Sequence, residues 1–237
     1  MAIYAVWGPP QSGKTTLAID IAYALSMHGQ SVCLVSPERY SELSARMRIR
    51  IETDKSLAAV NILKESIKHI VYPADELLYV LAAPFESDAF GEDVSSDNAR
   101  KLMEEAESIF DVVIVDCSAH CESSIAAWAM SMADTILLLS GGSPGAAIWY
   151  GAFHRAIDAV KDRLIPICVE VTDDFDYHSL FGLTGIQPET SVPFYPDAAI
   201  EQNGHKTLYG QGGKLGRKYT SGINDVCYLL GGGDDDE

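Results

Sequence analysis

The sequence predicts an α/β fold in which helices cover both faces of a mainly parallel sheet, a three-layer and doubly wound arrangement. Two observations lead to this prediction. Short, wholly apolar runs alternate with helical patterns along the chain, and a glycine-rich turn joins the first such run to the first helix. Strands that are apolar on both faces are typical of a parallel sheet that is buried on both sides. Right-handed crossovers between such strands place helices on both faces.

Each element follows from a local pattern. Ile3–Trp7 is a β-rich run that ends at Gly8, and the apolar spacing after Lys14 predicts one helix that stops before Gly29. Further apolar runs predict strands at Ser31–Val35, Leu77–Ala83, Val112–Val115, Ile136–Leu139 and Leu164–Val169. Helices are predicted from the capping stretch Ser95–Asn98 onward and from about Pro144 to Arg163, and Tyr40–Asp75 is predicted to be helix-rich but irregular.

Composition narrows the class of protein. The 237 residues are 47% hydrophobic and 22% charged, which is enough to bury a core and excludes a disordered or fibrous chain. A net charge of −17 disfavours general adhesion to nucleic acid or anionic membranes. No apolar run approaches the roughly 20 residues of a membrane span, and the five cysteines follow cytosolic usage, so we expect a cytoplasmic protein. We expect one domain over residues 1–230 and a disordered acidic tail over residues 231–237.

The turn after the first strand fits the phosphate-loop pattern G-x-x-x-x-G-K-[ST] at every fixed position. In such a loop main-chain N–H groups and the helix N-terminus surround phosphates, the lysine (Lys14) adds positive charge, and the hydroxyl of Thr15 serves Mg²⁺. We therefore expect a P-loop NTPase fold that binds a nucleotide. The predicted binding residues are Gly8, Pro9, Pro10, Gln11, Ser12, Gly13, Lys14, Thr15 and Thr16.

A second motif supports the first. Phe110–Asp116 is an apolar strand that ends in a carboxylate, the pattern of a Walker B strand. An aspartate at the carboxyl end of a strand beside the phosphate loop holds Mg²⁺ through water. The signal is weak alone, because many buried strands end in aspartate, but together with the loop it predicts Thr15 and Asp116 as the magnesium residues.

The chain resembles the MinD/ParA group of P-loop ATPases over nearly all of its length. The similar pieces are IYAVWGPPQSGKTTLAIDIAYALSMHGQSVCLVS, FDVVIVDCSAH, DTILLLS and SVPFYPDAAIEQNGHKTLY. The resemblance implies ATP and Mg²⁺ as cofactors, a nucleotide-linked homodimer, and a role in positioning, partitioning or assembling a cargo. It also implies that Pro193, Phe194 and Tyr195 lie near the adenine. The branch that it resembles most is the TadZ/CpaE-like one, which localises Flp pili.

Three positions depart from the pattern of that family. Pro9 stands where the family has a second, signature lysine, and Ser36-Pro37-Glu38 stands where it has Asp-x-Asp. His120 stands in place of the glycine whose N–H senses the γ-phosphate. Lys14, Glu38 and Asp116 are then the candidate catalytic residues. Because phosphoryl transfer depends mostly on positioning and charge neutralisation, we expect slow or partner-dependent ATP hydrolysis with binding retained.

Other functions stay open at this point. A degenerate scaffold that binds a nucleotide, or nothing, and acts through protein contacts is the main alternative. A metal-insertion accessory ATPase is another, but Cys117 and Cys121 with one histidine are fewer than the four ligands of a closed zinc site unless two chains share it. A basic cluster in a Gly-rich stretch, interleaved with Tyr209 and Tyr219, predicts a solvated loop or an acidic-partner contact and at most weak nucleic-acid binding. Its members are Lys206, Lys214, Arg217 and Lys218.

Overall fold

A computed structural model describes residues 1–38, 41–62, 66–85, 94–141, 143–204 and 207–231. Within them a single eight-stranded sheet has the order β3-β4-β2-β5-β1-β6-β7-β8. All neighbouring strands are parallel except β3, which pairs with β4 in the antiparallel sense at the edge. The strands are β1 (Ala2–Trp7), β2 (Val32–Val35), β3 (Tyr72–Pro73), β4 (Leu78–Leu81), β5 (Val112–Asp116), β6 (Thr135–Leu139), β7 (Leu164–Val169) and β8 (Thr190–Val192).

Two apolar cores lie on opposite faces of this sheet, because successive side chains of a strand point to opposite sides. In β1, Ile3, Ala5 and Trp7 join one core, whereas Tyr4 and Val6 join the other. This central strand is buried along nearly its whole length, which explains why it reads as an uninterrupted apolar run. The three-layer, doubly wound fold with a mainly parallel sheet is confirmed.

Helices cover both cores. α1 and α8 pack together on the face of Tyr4 and Val6, whereas α3 to α6 contribute to the core on the opposite face. The α-helices are α1 (Lys14–Met27), α2 (Leu43–Arg46), α3 (Ser96–Ile109), α4 (Ser124–Met132), α5 (Pro144–Val160), α6 (Tyr177–Thr184), α7 (Ala198–Asn203) and α8 (Gly213–Leu229). Short 3₁₀ helices occupy Thr53–Lys55, Leu57–Ile62, Ile67–His69 and Lys161–Arg163. No described helix is both long enough and apolar enough to cross a bilayer.

The basic stretch near the end of the chain is helical, so the prediction of a solvated loop there was wrong. Lys214, Arg217 and Lys218 lie exposed on the first turns of α8, and Lys206 falls outside the described residues. Tyr209 and Tyr219 are buried rather than interleaved with the basic side chains. Glycines obscured this helix, but its buried face is regular in spacing, at Tyr219, Ile223, Val226 and Cys227.

The remaining differences lie in short elements. Among the described residues of the predicted helix-rich stretch from Tyr40 to Asp75, the structure has only the four-residue α2, three 3₁₀ helices and β3. The helix that begins at Pro144 ends at Val160 and passes into a 3₁₀ turn. Of the predicted tail, residues 232–237 lie outside the described part of the chain, and the domain boundary at residue 230 stays a prediction.

Candidate functional site

The phosphate loop crosses from β1 to α1 in a conformation that requires glycine at both fixed positions. Gly8 has φ +155°, and a Cβ there would meet the carbonyl oxygen of Leu139 at 2.8 Å. Gly13 has φ +85° and directly precedes the first residue of α1. Gln11 between them also has a left-handed backbone, with φ +59°. The loop therefore curls into a tight cradle at the N-terminus of α1, where main-chain N–H groups and the helix dipole favour an anion.

The floor of this cradle carries unused hydrogen-bonding capacity. The Lys14 ammonium donates to the Pro9 carbonyl oxygen at 2.8 Å, so this side chain folds back over the loop. Ser12 Oγ is buried and has no hydrogen-bond partner among the described residues. Burial lowers the pKa of Lys14, although the nearby Asp116 and Glu38 carboxylates act in the opposite direction. A phosphate group fits this place, because its oxygens accept hydrogen bonds from both side chains.

The two sequence motifs meet at one hydrogen bond. Thr15 Oγ1 donates to Asp116 Oδ2 at 2.7 Å, which joins the start of α1 to the end of β5. Asp116 is only 4% exposed, and burial raises its pKa to about 6, against the opposing effects of Thr15 and Lys14. A hydroxyl and one carboxylate beside a phosphate cradle are the oxygen ligands that protein-bound Mg²⁺ takes, together with phosphates and water.

A cleft of about 830 Å³ opens in front of this hydrogen bond. Lys14, Glu38 and Asp116 all line it, so the three candidate catalytic residues are brought together. Glu38 is partly buried, and burial raises its pKa, while the Lys14 ammonium lowers it. His120 and Glu122 line the same cleft and act on the Glu38 carboxyl.

The other loop positions differ in exposure. Pro9 is buried and lies beside Gly141, whose added Cβ would come within 3.2 Å of the Pro9 ring. Pro10 is exposed and lines the cleft, and Gln11 is exposed. Position 9 therefore faces the body of the protein and presents no cation to a second molecule.

Two indoles hold the loop that follows β5. Trp7 Nε1–H and Trp149 Nε1–H both donate to the carbonyl oxygen of Ala119, at 3.3 and 3.0 Å. The His120 ring lies 5.8 Å from the Phe153 ring. The left-handed residue of this loop is Cys121, with φ +49°, so the Cβ of His120 forces no strain at its own position.

Pro193, Phe194 and Tyr195 line a second, smaller pocket of about 300 Å³ on the other side of the loop. Gly13 and Thr16 form part of the same pocket, which therefore adjoins the phosphate cradle. Its walls are mainly apolar and aromatic, as in most pockets for small ligands. That adenine occupies it stays a prediction.

Sequence reasoning missed a buried carboxylate, that of Asp20, which is hydrogen-bonded to two residues of the wall of this smaller pocket, Leu208 and Tyr219. Asp20 is buried on α1 and accepts hydrogen bonds from the Leu208 and Tyr209 N–H groups at 3.0 and 3.1 Å, and from the Tyr219 hydroxyl at 2.7 Å. The Thr207 hydroxyl also donates to it. Burial raises the pKa of Asp20, and these hydrogen bonds lower it. A charged residue between Leu17 and Ile21 on an apolar helix was the available signal.

Three further polar residues, Glu170, Arg46 and Gln202, were not predicted. Glu170 lines the smaller pocket and accepts a hydrogen bond from the Phe194 N–H at 3.2 Å. Thr16 Oγ1 accepts from Arg46 Nη1 at 2.8 Å and from Gln202 Nε2 at 3.0 Å. These contacts tie α2 and α7 to the first turn of α1, and no local sequence pattern indicates them.

The described residues contain no group of three or more histidine, cysteine, aspartate or glutamate side chains placed to hold a metal ion. Cys117 is buried and Cys121 is partly exposed, both on the loop after β5. One chain therefore offers two thiol ligands there, which is fewer than a closed zinc site needs.

Comparisons with known proteins agree with this geometry. The model of the AAA domain family matches residues 10–167. Among solved structures, MinD from Pyrococcus horikoshii complexed with Mg-ADP superposes with a TM-score of 0.76 at 16% identity, over 98% of each chain. A ParA family ATPase from Chlorobium tepidum gives a TM-score of 0.77 at 16% identity, over 96% of this chain and 98% of the other. The ATP complex of a substituted McdA from Cyanothece gives 0.76 at 14% identity, over 100% and 99%. Comparison with curated protein sequences finds no match.

The family match covers the phosphate loop from Pro10 and the Walker B strand and ends within β7, so it includes most of the sheet. The similarity to the solved structures extends over both ends of the chain and identifies the fold. The chain therefore belongs to the AAA domain family, and its fold is that of the MinD/ParA-like P-loop ATPases.

Proposed function

We propose that this chain binds ATP with Mg²⁺ and hydrolyses it slowly or only with a partner, as a positioning, partitioning or assembly factor. The observation that carries the proposal is the 2.7 Å hydrogen bond between Thr15 and Asp116, at the mouth of the loop that holds Lys14. It joins two motifs a hundred residues apart into the donor set of a magnesium nucleotide site.

In this proposal each side chain has one task. The loop N–H groups and Lys14 bind the phosphates, while Thr15 and Asp116 hold Mg²⁺. The ion supplies neutralising charge to the phosphate oxygens. Glu38 lies in the same cleft and is our candidate for the carboxylate that orients or deprotonates an attacking water. On the other side of the loop, Pro193 to Tyr195 receive the adenine, with Glu170 beside them.

Slow turnover follows from the departures at three positions. Pro9 is buried and uncharged, so it supplies no cation to a nucleotide held by another subunit. Ser36 lines the cleft with a hydroxyl where the family pattern has a carboxylate. His120 replaces a glycine in a loop that two indoles already hold, which limits how that loop moves toward a γ-phosphate. These changes affect the orientation of the reacting groups more than the binding of the nucleotide, so we expect them to lower the rate of hydrolysis more than the affinity for ATP.

A nucleotide-linked homodimer and a cargo role are part of the same proposal. Two of the similar structures support nucleotide use, a MinD complexed with Mg-ADP and a McdA–ATP complex. Partner binding is supported by the MinC:MinD complex from Aquifex aeolicus, whose fold is similar with a TM-score of 0.77 at 16% identity. Membership of the TadZ/CpaE-like branch stays a prediction, which pilus genes beside the coding gene would support.

The test is ATP turnover and nucleotide binding by the purified full-length chain with Mg²⁺. We expect MgATP to raise the melting temperature and turnover to be slow, and Lys14→Ala to abolish both effects. Lys218→Ala is the matched control, because Lys218 is an exposed lysine on α8. Size-exclusion chromatography with and without ATP tests the nucleotide-linked dimer. Brisk hydrolysis without a partner would contradict the part of the proposal that rests on Pro9, Ser36 and His120.

A non-catalytic nucleotide-binding scaffold is the second candidate, favoured by those same three departures. Stabilisation by MgATP without any Lys14-dependent turnover supports this binding-only form. Absence of stabilisation by any nucleotide supports an empty scaffold. The metal-insertion alternative requires metal in the protein purified under reducing conditions, and metal that depends on Cys117 and Cys121.

A further inference from the structure

Two cysteines lie together on the loop that follows the Walker B strand. A turn returns the chain on itself there, since the Cys121 N–H donates to the Ser118 carbonyl oxygen at 3.2 Å. The left-handed backbone of Cys121, with φ +49°, closes this turn. The Cys121 thiol donates to the Ser118 carbonyl oxygen at 3.6 Å, and the Cys117 thiol interacts with the Cys121 thiol electrostatically. Left-handed geometry is unfavourable at a residue other than glycine, so surrounding contacts must hold it.

Those contacts come from Trp7 and Trp149, which lie in the same apolar core as Cys117 and Ala119. The Ala119 carbonyl between the two cysteines receives both indole hydrogen bonds. At the start of the loop the Cys117 N–H donates to the Val6 carbonyl oxygen at 3.0 Å. The loop that carries both thiols is therefore held in place, and the two thiols interact across its turn.

The other three cysteines have a different environment. Cys33, Cys168 and Cys227 are buried in separate parts of the core, and burial raises their pKa values to about 12, 11 and 12. Cys121 is partly exposed. Its thiol pKa is lowered by the interaction with the Cys117 thiol, and the Lys14 ammonium acts in the same direction. Reactive cysteines are those with thiolate character and access to solvent, so Cys121 is distinguished from the rest.

We infer that Cys117 and Cys121 form a reversible thiol–disulfide pair in the wall of the phosphate cleft, which hydroperoxides oxidise. Cys117 lines the cleft together with Lys14 and Asp116, so the redox pair and the phosphate site share one surface. The modification itself does not depend on the proposed function, whereas its coupling to nucleotide binding rests on it.

The chemistry balances with a hydroperoxide as the oxidant. The Cys121 thiolate attacks one peroxide oxygen, the O–O bond breaks, and Cys121 becomes a sulfenic acid as hydroxide leaves and takes up a proton to form water. The Cys117 sulfur then attacks the sulfenic sulfur, and the S–O bond breaks. The proton from the Cys117 thiol goes to the leaving hydroxide, which forms a second water. Two thiols lose two electrons, hydrogen peroxide gains them, and a thiol reductant reverses the change.

A disulfide between these residues would fix the loop that carries Ala119 and His120. Any movement of this loop toward a bound nucleotide would then be prevented, so oxidation should weaken MgATP binding by about fivefold or more. Binding and oxidation that oppose each other are linked in both directions, so bound MgATP should shift the thiol–disulfide equilibrium of this pair toward the dithiol by the same factor.

The first experiment treats the reduced full-length protein with hydrogen peroxide, blocks the remaining thiols and maps the modified peptides. We expect the loss of two hydrogens from the intact mass, a Cys117–Cys121 linkage, and full reversal by dithiothreitol. Cys168→Ser is the matched control, because Cys168 is buried in β7, and it should oxidise like the wild type. Overoxidation of Cys121 with Cys117 left as a free thiol would overturn the inference, and so would a disulfide that involves another cysteine.

The order of the two steps is tested with single serine variants. Cys117→Ser should accumulate a sulfenic acid on Cys121 that a dimedone probe traps, whereas Cys121→Ser should show no fast modification. Trapping of equal amounts on Cys33 or Cys227 in the Cys121→Ser variant would contradict the selectivity. The serine side chains preserve volume closely, and circular dichroism verifies that both variants fold.

The coupling is measured separately by thermal shift with MgATP on reduced and oxidised protein. A smaller shift after oxidation, with the Cys117→Ser variant unaffected by the same treatment, supports the coupling. Equal shifts in both redox states contradict it. If the reduced protein shows no shift at all, the proposed nucleotide function fails while the disulfide result stands, so the two failures are distinguishable.

Discussion

The two sides of the phosphate loop are built in different ways. The phosphate side takes its groups from three short segments, the loop itself, the residues after β2 that include Glu38, and the end of β5 with its following turn. The smaller pocket draws on segments near residues 13–20, 169–171, 192–198 and 207–219. Each segment of the first side is a short stretch of sequence with its own pattern, whereas the second side is held by a buried carboxylate whose partners lie about 190 residues away. A ligand that bridges both sides therefore depends on local motifs for one end and on tertiary structure for the other.

Removing the Asp20 carboxylate should have the largest effect of the changes considered, because it disrupts the tertiary contacts that hold the smaller pocket. Asp20→Ala leaves the Tyr219 hydroxyl and two main-chain N–H groups without their buried acceptor. We expect a loss of about 3–5 kcal/mol in the free energy of unfolding, measured by urea denaturation. Asp158→Ala, at an exposed position of α5, is the control and should change stability little. A loss below about 1 kcal/mol would show that this network is not what holds the smaller pocket.

The milder Asp20→Asn change sharpens the comparison, because it keeps the side-chain volume. It should weaken binding of ATP but leave binding of inorganic tripolyphosphate nearly unchanged, since only the smaller pocket is disturbed. Lys14→Ala should weaken both ligands alike. Isothermal titration with the two ligands checks this, and equal losses for Asp20→Asn would mean that the two sides are not separable.

On the phosphate side, Glu38→Gln should act on rate rather than on binding. The amide keeps the shape but is a far weaker base, so we expect turnover to fall by about 100-fold with the ATP dissociation constant within about twofold. The wild-type rate should fall as acid protonates Glu38, at a pH above that of an ordinary glutamate because burial raises its pKa. An unchanged rate in Glu38→Gln would move the role of the base to another group.

Trp149→Phe tests the loop between the two sides. Phenylalanine keeps the stacking on Phe153, whose ring centroid lies 4.8 Å from that of Trp149, but removes one of two hydrogen bonds to Ala119. We expect about 1 kcal/mol of destabilisation, because Trp7 still donates to the same oxygen. The melting temperature measures this loss. A change several times larger would mean that packing of the Trp149 indole contributes more to stability than its hydrogen bond does.

The smallest effect is expected far from both sides. Arg100 and Glu104 form an i,i+4 ion pair at 2.7 Å on α3, with both side chains exposed to solvent. Arg100→Ala should cost about 0.5 kcal/mol or less, and added salt should reduce the difference further. Urea denaturation at two salt concentrations provides the measurement, and a larger loss would indicate that α3 has a partner there.

The phosphate side was accessible from the sequence because its chemistry fixes spacing within a few residues. Gly8, Gly13, Lys14 and Thr15 occur in one loop, and Asp116 ends a strand whose apolar run is itself a pattern. Buried parallel strands were predicted for a similar reason, since each is a short apolar run without the alternating polar residues of a strand that faces solvent. The meeting of Thr15 with Asp116 then follows from adjacent parallel strands, β1 and β5.

The smaller pocket was accessible only through resemblance, which pointed to Pro193, Phe194 and Tyr195. The partners of Asp20 lie up to 199 residues away, and no periodicity links a helix residue to a distant loop. Glu170 owes its place to β7 and its contact to β8, a three-residue strand too short to produce a pattern. The α8 helix was missed because its glycines resemble a loop, although its apolar face has helical spacing.

The pair of indoles on the Ala119 carbonyl gives the protein an intrinsic optical probe. The ring centroids of Trp7 and Trp149 lie 4.9 Å apart. Both rings contact the loop at Ala119, and the residue after Ala119, His120, lines the phosphate cleft. The third tryptophan, Trp128, donates to Ser96 on α3 instead. In a Trp128→Phe background, tryptophan fluorescence would come from Trp7 and Trp149 alone. A ligand or oxidant that shifts the loop would then change this fluorescence without any attached dye.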